Sequence, residues 1–351
     1  MMPSLPILDK NVNHSPHVVI LGAGASIASY LHSGEVGDRL PDMKNLIDVL
    51  ELRREINHAG FHQPTADFES FYDDLVTTGG NPQLQTTIEN RVRDYFSGLR
   101  LPSQPTIYDY LVLSLRKDKD LIASFNWDPF LLDAYRRNKA VKKLPRIAFL
   151  HGNVCVAYCA KDKIPGLIGQ KCQKCGDDLR PSRLLYPVKH KDYNQDPFIK
   201  NEWEVLRSYL NRAYYLTVFG YSAPKTDVEA RTLMLEAWHK NPTLRLAQVE
   251  IIDIRPREDL ETSWNKFFIS HHYSIRGDFF KSQLMRFPRR TCDAFAEATL
   301  MLRPWHDNPF PLFETIDEMQ QWINPLLNEE EEYERTRTQF SGQPLSPNSS
   351  L

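Results

Sequence analysis

The stretch His17-Val18-Val19-Ile20-Leu21-Gly22-Ala23-Gly24-Ala25-Ser26 decides the fold. Four consecutive apolar residues, three of them β-branched, read as a short buried strand. The strand runs straight into a glycine turn and then a helix start. At such a turn the absence of side chains lets backbone N–H groups approach a pyrophosphate, and the helix N-terminus favours its charge. The same residues would also serve as an ordinary tight turn, and the third glycine of dehydrogenase spacing is missing.

Working outward, the same alternation recurs. Leu121–Phe125 and Arg146–Leu150 read as strands, with a helix over Phe130–Arg137 between them. Tyr214–Phe219 and Val249–Ile254 are two more, joined by a helix over Val228–His239. Strands alternating with helices imply an α/β fold, a parallel sheet with helices on both faces. A helical insertion interrupts it at about 40–116: Leu46, Ile47, Val49 and Leu50 share one helix face, as do Phe68, Phe71, Tyr72 and Leu75. Further helices are expected over 83–97 and 107–116. A helical C-terminal extension covers 277–327, with a last amphipathic helix from Ile316 to Ile323, before Pro325. Residues 1–16 read as a flexible leader. From Asn328 the chain is Glu-rich, then Ser/Pro/Gly-rich, and reads as a disordered tail over 328–351.

Composition narrows the function. The 351 residues are 41% hydrophobic, enough for a sizeable core, and 43 basic against 45 acidic residues give a formal charge of −2. A domain built to hold a nucleic-acid backbone would carry a basic excess, so there is no strong direct nucleic-acid signal. No apolar run is long enough to span a bilayer and no signal-peptide pattern opens the chain, so a cytoplasmic protein is expected. Cys155, Cys159, Cys172 and Cys175 fall in one window while Cys292 stands alone, which suggests metal rather than disulfides.

Two strand ends carry chemistry-bearing residues, and ligands of open α/β sheets bind outside the carboxyl ends of strands. Asn126 and Asp128 follow the strand at 121–125; an amide and a carboxylate there can hold a ribose and a water. Asp128 before Pro129 is also a natural helix cap, and the two roles are compatible. His151, before Gly152, follows the next strand, and histidine moves protons near neutral pH.

Taken in order, Gly-Ala-Gly-x-Ser, x-Asn-x-Asp, Leu-His-Gly, a cysteine cluster, Phe219-Gly-Tyr-Ser222 and Ile252-Asp253 resemble the sirtuin family over roughly residues 17–256. The resemblance implies a Rossmann-like NAD-binding domain over 17–276. In it Gly22, Ala23, Gly24 and Ser26 would cradle the pyrophosphate. Asn126 would orient a water or the nicotinamide ribose, Asp128 would sit near the nicotinamide amide, and His151 would act as general base. Gly220, Ser222 and Asp253 would hold the adenosine half. The departures are informative. The Asp-Phe-Arg segment of the deacylases is missing from 32–42, Phe125 stands where the family has Gln, and Trp127 follows Asn126. These features resemble a divergent bacterial branch that hydrolyses NAD in anti-phage defence. An NAD hydrolase is therefore expected, with a lysine deacylase and a non-catalytic NAD- or ADP-ribose-binding subunit as alternatives. The resemblance also implies a homo-oligomer, with an ATPase or nucleic-acid-sensing subunit as a partner.

Cys172-x-x-Cys175-Gly176 reads as half of a zinc knuckle, because that spacing puts two thiolates on one ion and the glycine permits the turn. With Cys155 and Cys159 it predicts a structural zinc in a module over about 155–190. The three residues between Cys155 and Cys159 leave room for Asp162 or His190 to replace one of them.

Overall fold

A computed structural model describes residues 15–32, 40–61, 67–188, 193–222 and 227–336. The leader at 1–14, most of the 32–42 segment, His190 and the tail beyond 336 lie outside the described residues.

The chain enters through β1 (His17–Leu21) and α1 (Ala23–His32). An insertion follows: α2 (Leu46–Val49), α3 (Arg53–His58), α4 (Phe68–Thr77) and α5 (Pro82–Gly98). Then come α6 (Ile107–Leu113), β2 (Leu121–Ser124), α7 (Phe130–Arg137) and β3 (Arg146–Phe149). A second insertion holds β4 (Val156–Tyr158), β5 (Pro165–Leu167) and β6 (Arg180–Pro181). The frame resumes with α8 (Pro197–Leu210), β7 (Tyr215–Phe219), α9 (Val228–His239), β8 (Gln248–Ile252), α10 (Arg257–Trp264) and β9 (Tyr273–Arg276). The last helices are α11 (Gln283–Arg286), α12 (Thr291–Leu300) and α13 (Ile316–Thr336).

Six strands form one parallel sheet in the order β3-β2-β1-β7-β8-β9. This is the doubly wound Rossmann order, in which right-handed crossovers from a central strand put helices on both faces. The apolar run of β1 is buried throughout, as a central parallel strand requires. Each such side chain withdrawn from water contributes about 1.5–3 kcal/mol. The order reverses between β1 and β7, which opens a crevice above their carboxyl ends. Register aligns those ends: Leu21 pairs with both Ser124 and Phe219, Ser124 with Phe149, and Phe219 with Ile252.

The first insertion has its own core. Leu46, Ile56, Phe68, Phe71, Leu75, Ile88 and Val92 pack together, and Trp127 is the frame residue that plugs into them. Helix α6, expected within this insertion, packs in the main core against α1 and α7.

One expectation is corrected and two elements are new. Helix α13 does not stop before Pro325 but continues to Thr336, through residues expected to be disordered. The reason is a buried ion pair: Glu330 accepts from Arg289 Nε at 2.6 Å and from Nη2 at 2.7 Å, and Tyr333 is buried beside it. Arg289 also donates to the carbonyls of Leu113 and Leu115, so α13 is tied to the end of α6. Strand β9 and helix α8 were not foreseen from the sequence. Asp196 caps α8 through the N–H groups of Phe198 and Ile199, with Pro197 at its start.

Candidate active site

The crevice at the switch point is a cleft enclosing about 1010 Å³, part of it open to solvent. Most of the residues singled out from the sequence meet there. Gly22, Ala23, Ser26, Asn126, Asp128, His151, Gly220 and Ser222 all line it.

The turn at its floor is shaped by two glycines. A Cβ on Gly22 would lie 2.5 Å from Tyr221 Cα. Gly220 has φ +62°, and a Cβ there would lie 2.3 Å from the Ala25 nitrogen. Both positions demand glycine so that the β1 and β7 turns can touch. Gly24 serves that contact rather than the cleft: its N–H donates to the Gly220 carbonyl at 2.9 Å and it does not line the wall.

Beside the turn is a buried polar network. Asn126 Nδ2 lies 2.9 Å from the Gly22 carbonyl, 2.9 Å from Ser26 Oγ and 3.1 Å from the Tyr108 hydroxyl. Ser26 Oγ donates to Asp128 Oδ2 at 2.7 Å, and the Tyr108 hydroxyl lies 2.7 Å from Ser26 Oγ. Asp128 Oδ1 accepts the Phe130 N–H at 3.1 Å, but Pro129 and not Asp128 is the N-cap of α7, so the helix begins one residue later than a cap at Asp128 would set it. Burial pushes the Asp128 carboxyl up to about 6, against the pull of those hydrogen bonds. Tyr108 was not foreseen as a site residue; the hint was a hydroxyl on α6, a helix buried on every side.

Asn126 and His151 each stand two residues beyond the paired Ser124 and Phe149, which puts them on adjacent strand ends. His151 Nε2 is 3.1 Å from the Tyr193 hydroxyl, and its ring sits edge-on against Phe125, centroids 4.7 Å apart. Phe125 in turn stacks on Tyr221 at 4.2 Å. One wall is apolar, formed by Ile27, Leu40, Met43, Leu46 and Phe96. The charged lining is acidic: Asp42, Glu69, Asp128 and Asp227 face the cleft, and among the described residues no Lys or Arg lines it.

Asp253 is not brought to the cleft. It follows β8, and both its carboxylate oxygens are engaged by Arg255, at 2.9–3.2 Å.

The cysteine window needs one correction. The donors that converge are Cys159, Asp162, Cys172 and Cys175, all within 4.8 Å of one another, and Cys155 is not among them. Cys155 and Cys159 flank β4, and four steps along an extended strand carry a side chain roughly 13 Å away. Asp162 takes its place with the same two-residue spacing from Cys159 that separates Cys172 from Cys175. Sulfur–sulfur and sulfur–oxygen separations of 3.3–3.6 Å fit four ligands around one zinc, whose ~2.3 Å bonds set a tetrahedral edge near 3.8 Å. Four protein ligands leave no open position, so the site is structural and holds the β5-β4-β6 sheet.

The fold and cleft thus define a Rossmann-like parallel-sheet protein with a ligand site at its switch point and a zinc-fitting module beside it. No family model and no curated protein matches the chain. Solved structures similar to it include a Sir2 homolog in complex with NAD, at 17% identity over 82% of this chain and 93% of the other, TM-score 0.43. Others are a Sir2 homologue mutant with ADP-ribose (16%, 84% and 97%, TM-score 0.37) and a Sir2 protein bound to a propionylated peptide (15%, 82% and 94%, TM-score 0.34). Identities and scores this low give no weight in assigning chemistry, which rests on the residues of the cleft. No helix among the described residues is long and apolar enough to cross a membrane.

Proposed function

We propose that the cleft binds NAD and hydrolyses its nicotinamide–ribosyl bond, giving nicotinamide and ADP-ribose. The observation that carries this reading is the convergence of Gly22, Ala23, Ser26, Asn126, Asp128 and His151 on one cleft at the switch point.

The α1 N-terminus and the side-chain-free turn suit a pyrophosphate, which backbone N–H groups would hold. The acidic lining suits the other end of the ligand. Nicotinamide leaves from a cationic ring, and the ribosyl centre it leaves behind is itself cationic; fixed carboxylates nearby favour both. The two N–H groups of Asn126 Nδ2 have three acceptors within reach, which leaves Oδ1 to orient a water or ribose hydroxyl. In the reaction the C1′–N bond breaks and takes its electron pair to nicotinamide. A water oxygen bonds to C1′, and its proton passes to His151 and then to solvent.

A lysine deacylase is the second reading, favoured by the apolar wall of Met43, Leu46 and Phe96, which would accommodate an alkyl chain. Phe125 and Trp127, where deacylases differ, support reading the chain as an NAD-depleting anti-phage effector that acts as an oligomer or with a sensor partner.

The test is nicotinamide release from NAD by the purified protein and by Asn126→Ala and His151→Ala. Release without any acyl-lysine peptide, lost in both variants, supports the hydrolase. Release only with an acetyl-lysine peptide moves the protein to deacylation. NAD binding with no release under either condition would overturn both.

A further inference from the structure

Behind the cleft wall lies a second cavity, partly open to solvent, between helices α4 and α5 and the segment 183–188. Its chemistry is the opposite of the cleft's. Arg93 and Arg183 line it, with Asn90 and Gln195 adding amides. Its one acid is Glu89, whose Oε1 accepts the Tyr72 hydroxyl at 2.6 Å and Gln85 Nε2 at 3.0 Å. Neither arginine forms an ion pair among the described residues. Arg93 Nη2 donates to the Ser182 carbonyl at 3.0 Å, but Arg93 Nη1 is buried with no acceptor. A buried guanidinium N–H left without an acceptor is costly, and a ligand oxygen would relieve it.

The wall between the two cavities is thin. Leu185 lines both, and its N–H donates to the His151 carbonyl at 2.9 Å. Tyr186 lines the second cavity and packs against Trp127 of the cleft, ring centroids 5.1 Å apart.

We propose that this second cavity is an effector site for a small phosphate-bearing ligand. The Arg93 guanidinium, its Nη1 buried, with the exposed Arg183 at the rim and several amides, offers more donors than one carboxylate can use, and a phosphoryl group with three oxygens suits the fork geometry of arginine. Occupancy acts on the cleft through Leu185 and Tyr186, which supplies the control that an NAD-consuming enzyme requires. This last step rests on the hydrolase reading; the anion site does not.

The probe is inorganic pyrophosphate, titrated into the full chain by calorimetry. The protein should still bind one pyrophosphate when saturating ADP-ribose fills the glycine turn of the cleft, because the cleft is not the site. Arg93→Gln and Arg183→Gln should each weaken it about tenfold or more while leaving basal nicotinamide release unchanged. Pyrophosphate should change the rate of nicotinamide release at least twofold in the wild type and not in the double variant. Absent binding, or binding that ADP-ribose abolishes and the arginine variants keep, overturns the site. Binding through the arginines with no change in release overturns the effector role. Binding through the arginines in a protein that neither binds nor cleaves NAD would sink the hydrolase reading and leave the anion site standing.

Discussion

The Tyr108 hydroxyl stands 2.7 Å from Ser26 Oγ, and that contact joins α6 to the glycine turn of α1. Because Ser26 donates onward to Asp128, the tyrosine donates to Ser26, and its oxygen lone pairs remain for Asn126 Nδ2 at 3.1 Å. Tyr108 is therefore a positioning residue. Tyr108→Phe keeps the ring and removes both bonds. Expected are a stability loss of about 1 kcal/mol and a kcat for nicotinamide release reduced about tenfold, with KM for NAD little changed. Unaltered kcat would show that Gly22 and Ser26 alone fix the Asn126 amide.

Asp128 should give stability a pH slope. Its native carboxyl is raised to about 6 by burial, so the folded chain holds that proton more tightly than the unfolded chain does. Its favourable contribution is complete below pH 4, declines as pH rises, and is gone above about 6. Asp128→Asn removes the titration. The variant should gain on the wild type between pH 4 and 7, by about 3 kcal/mol at most given 1.36 kcal/mol per pH unit. Urea unfolding at pH 4, 5, 6 and 7 measures it, and a flat difference would contradict the burial argument.

The zinc assignment predicts an asymmetry between two neighbouring residues. Cys155→Ser should retain one zinc per chain, since Cys155 lies at the far end of β4 from the cluster. Asp162→Ala should lower zinc content, and chelation should loosen the β5-β4-β6 sheet before the main sheet. Metal analysis of the two purified variants decides the matter: equal loss in both would restore Cys155 as a ligand.

Glu330 tests the clasp of α13. Its partner Arg289 is fully buried, so Glu330→Ala leaves an uncompensated charge, at a cost of about 3–5 kcal/mol. The exposed Glu332, paired with Arg335 alone among the described residues, should cost no more than ~0.5 kcal/mol when replaced by alanine. Comparable midpoints for the two in urea would mean that water reaches Arg289 on loss of its partner.

The sheet was legible because its strands are rich in apolar residues: β1 is apolar from Val18 to Leu21, and β2, β3, β7 and β8 keep most of that character around polar positions such as Arg146, Thr217 and Glu250. Edge strand β9 was not, since Tyr-Ser-Ile-Arg is half-buried and lacks that run. The continuation of α13 was hidden for another reason. A run of four glutamates looks solvated unless one knows that Arg289, some forty residues earlier, waits for one of them. Legibility at the cleft followed the backbone. Residues at strand ends were found because topology alone gathers them, whereas Tyr108 arrives through packing of α6 and no local spacing marks it. Asp162 was visible only as an alternative to Cys155, and the strand between the two upstream cysteines settled the choice.

Trp127 sits between Asn126 and Asp128, yet its side chain belongs to the core of the helical insertion. The two polar residues of the site are thus one peptide bond from a hydrophobic anchor in a different folding unit. Drift in that outer core, at Phe96 or Ile88 for example, would be felt at the catalytic amide before it unfolded anything. Lineages that remodel the insertion would then be expected to lose turnover while still yielding soluble, well-folded protein.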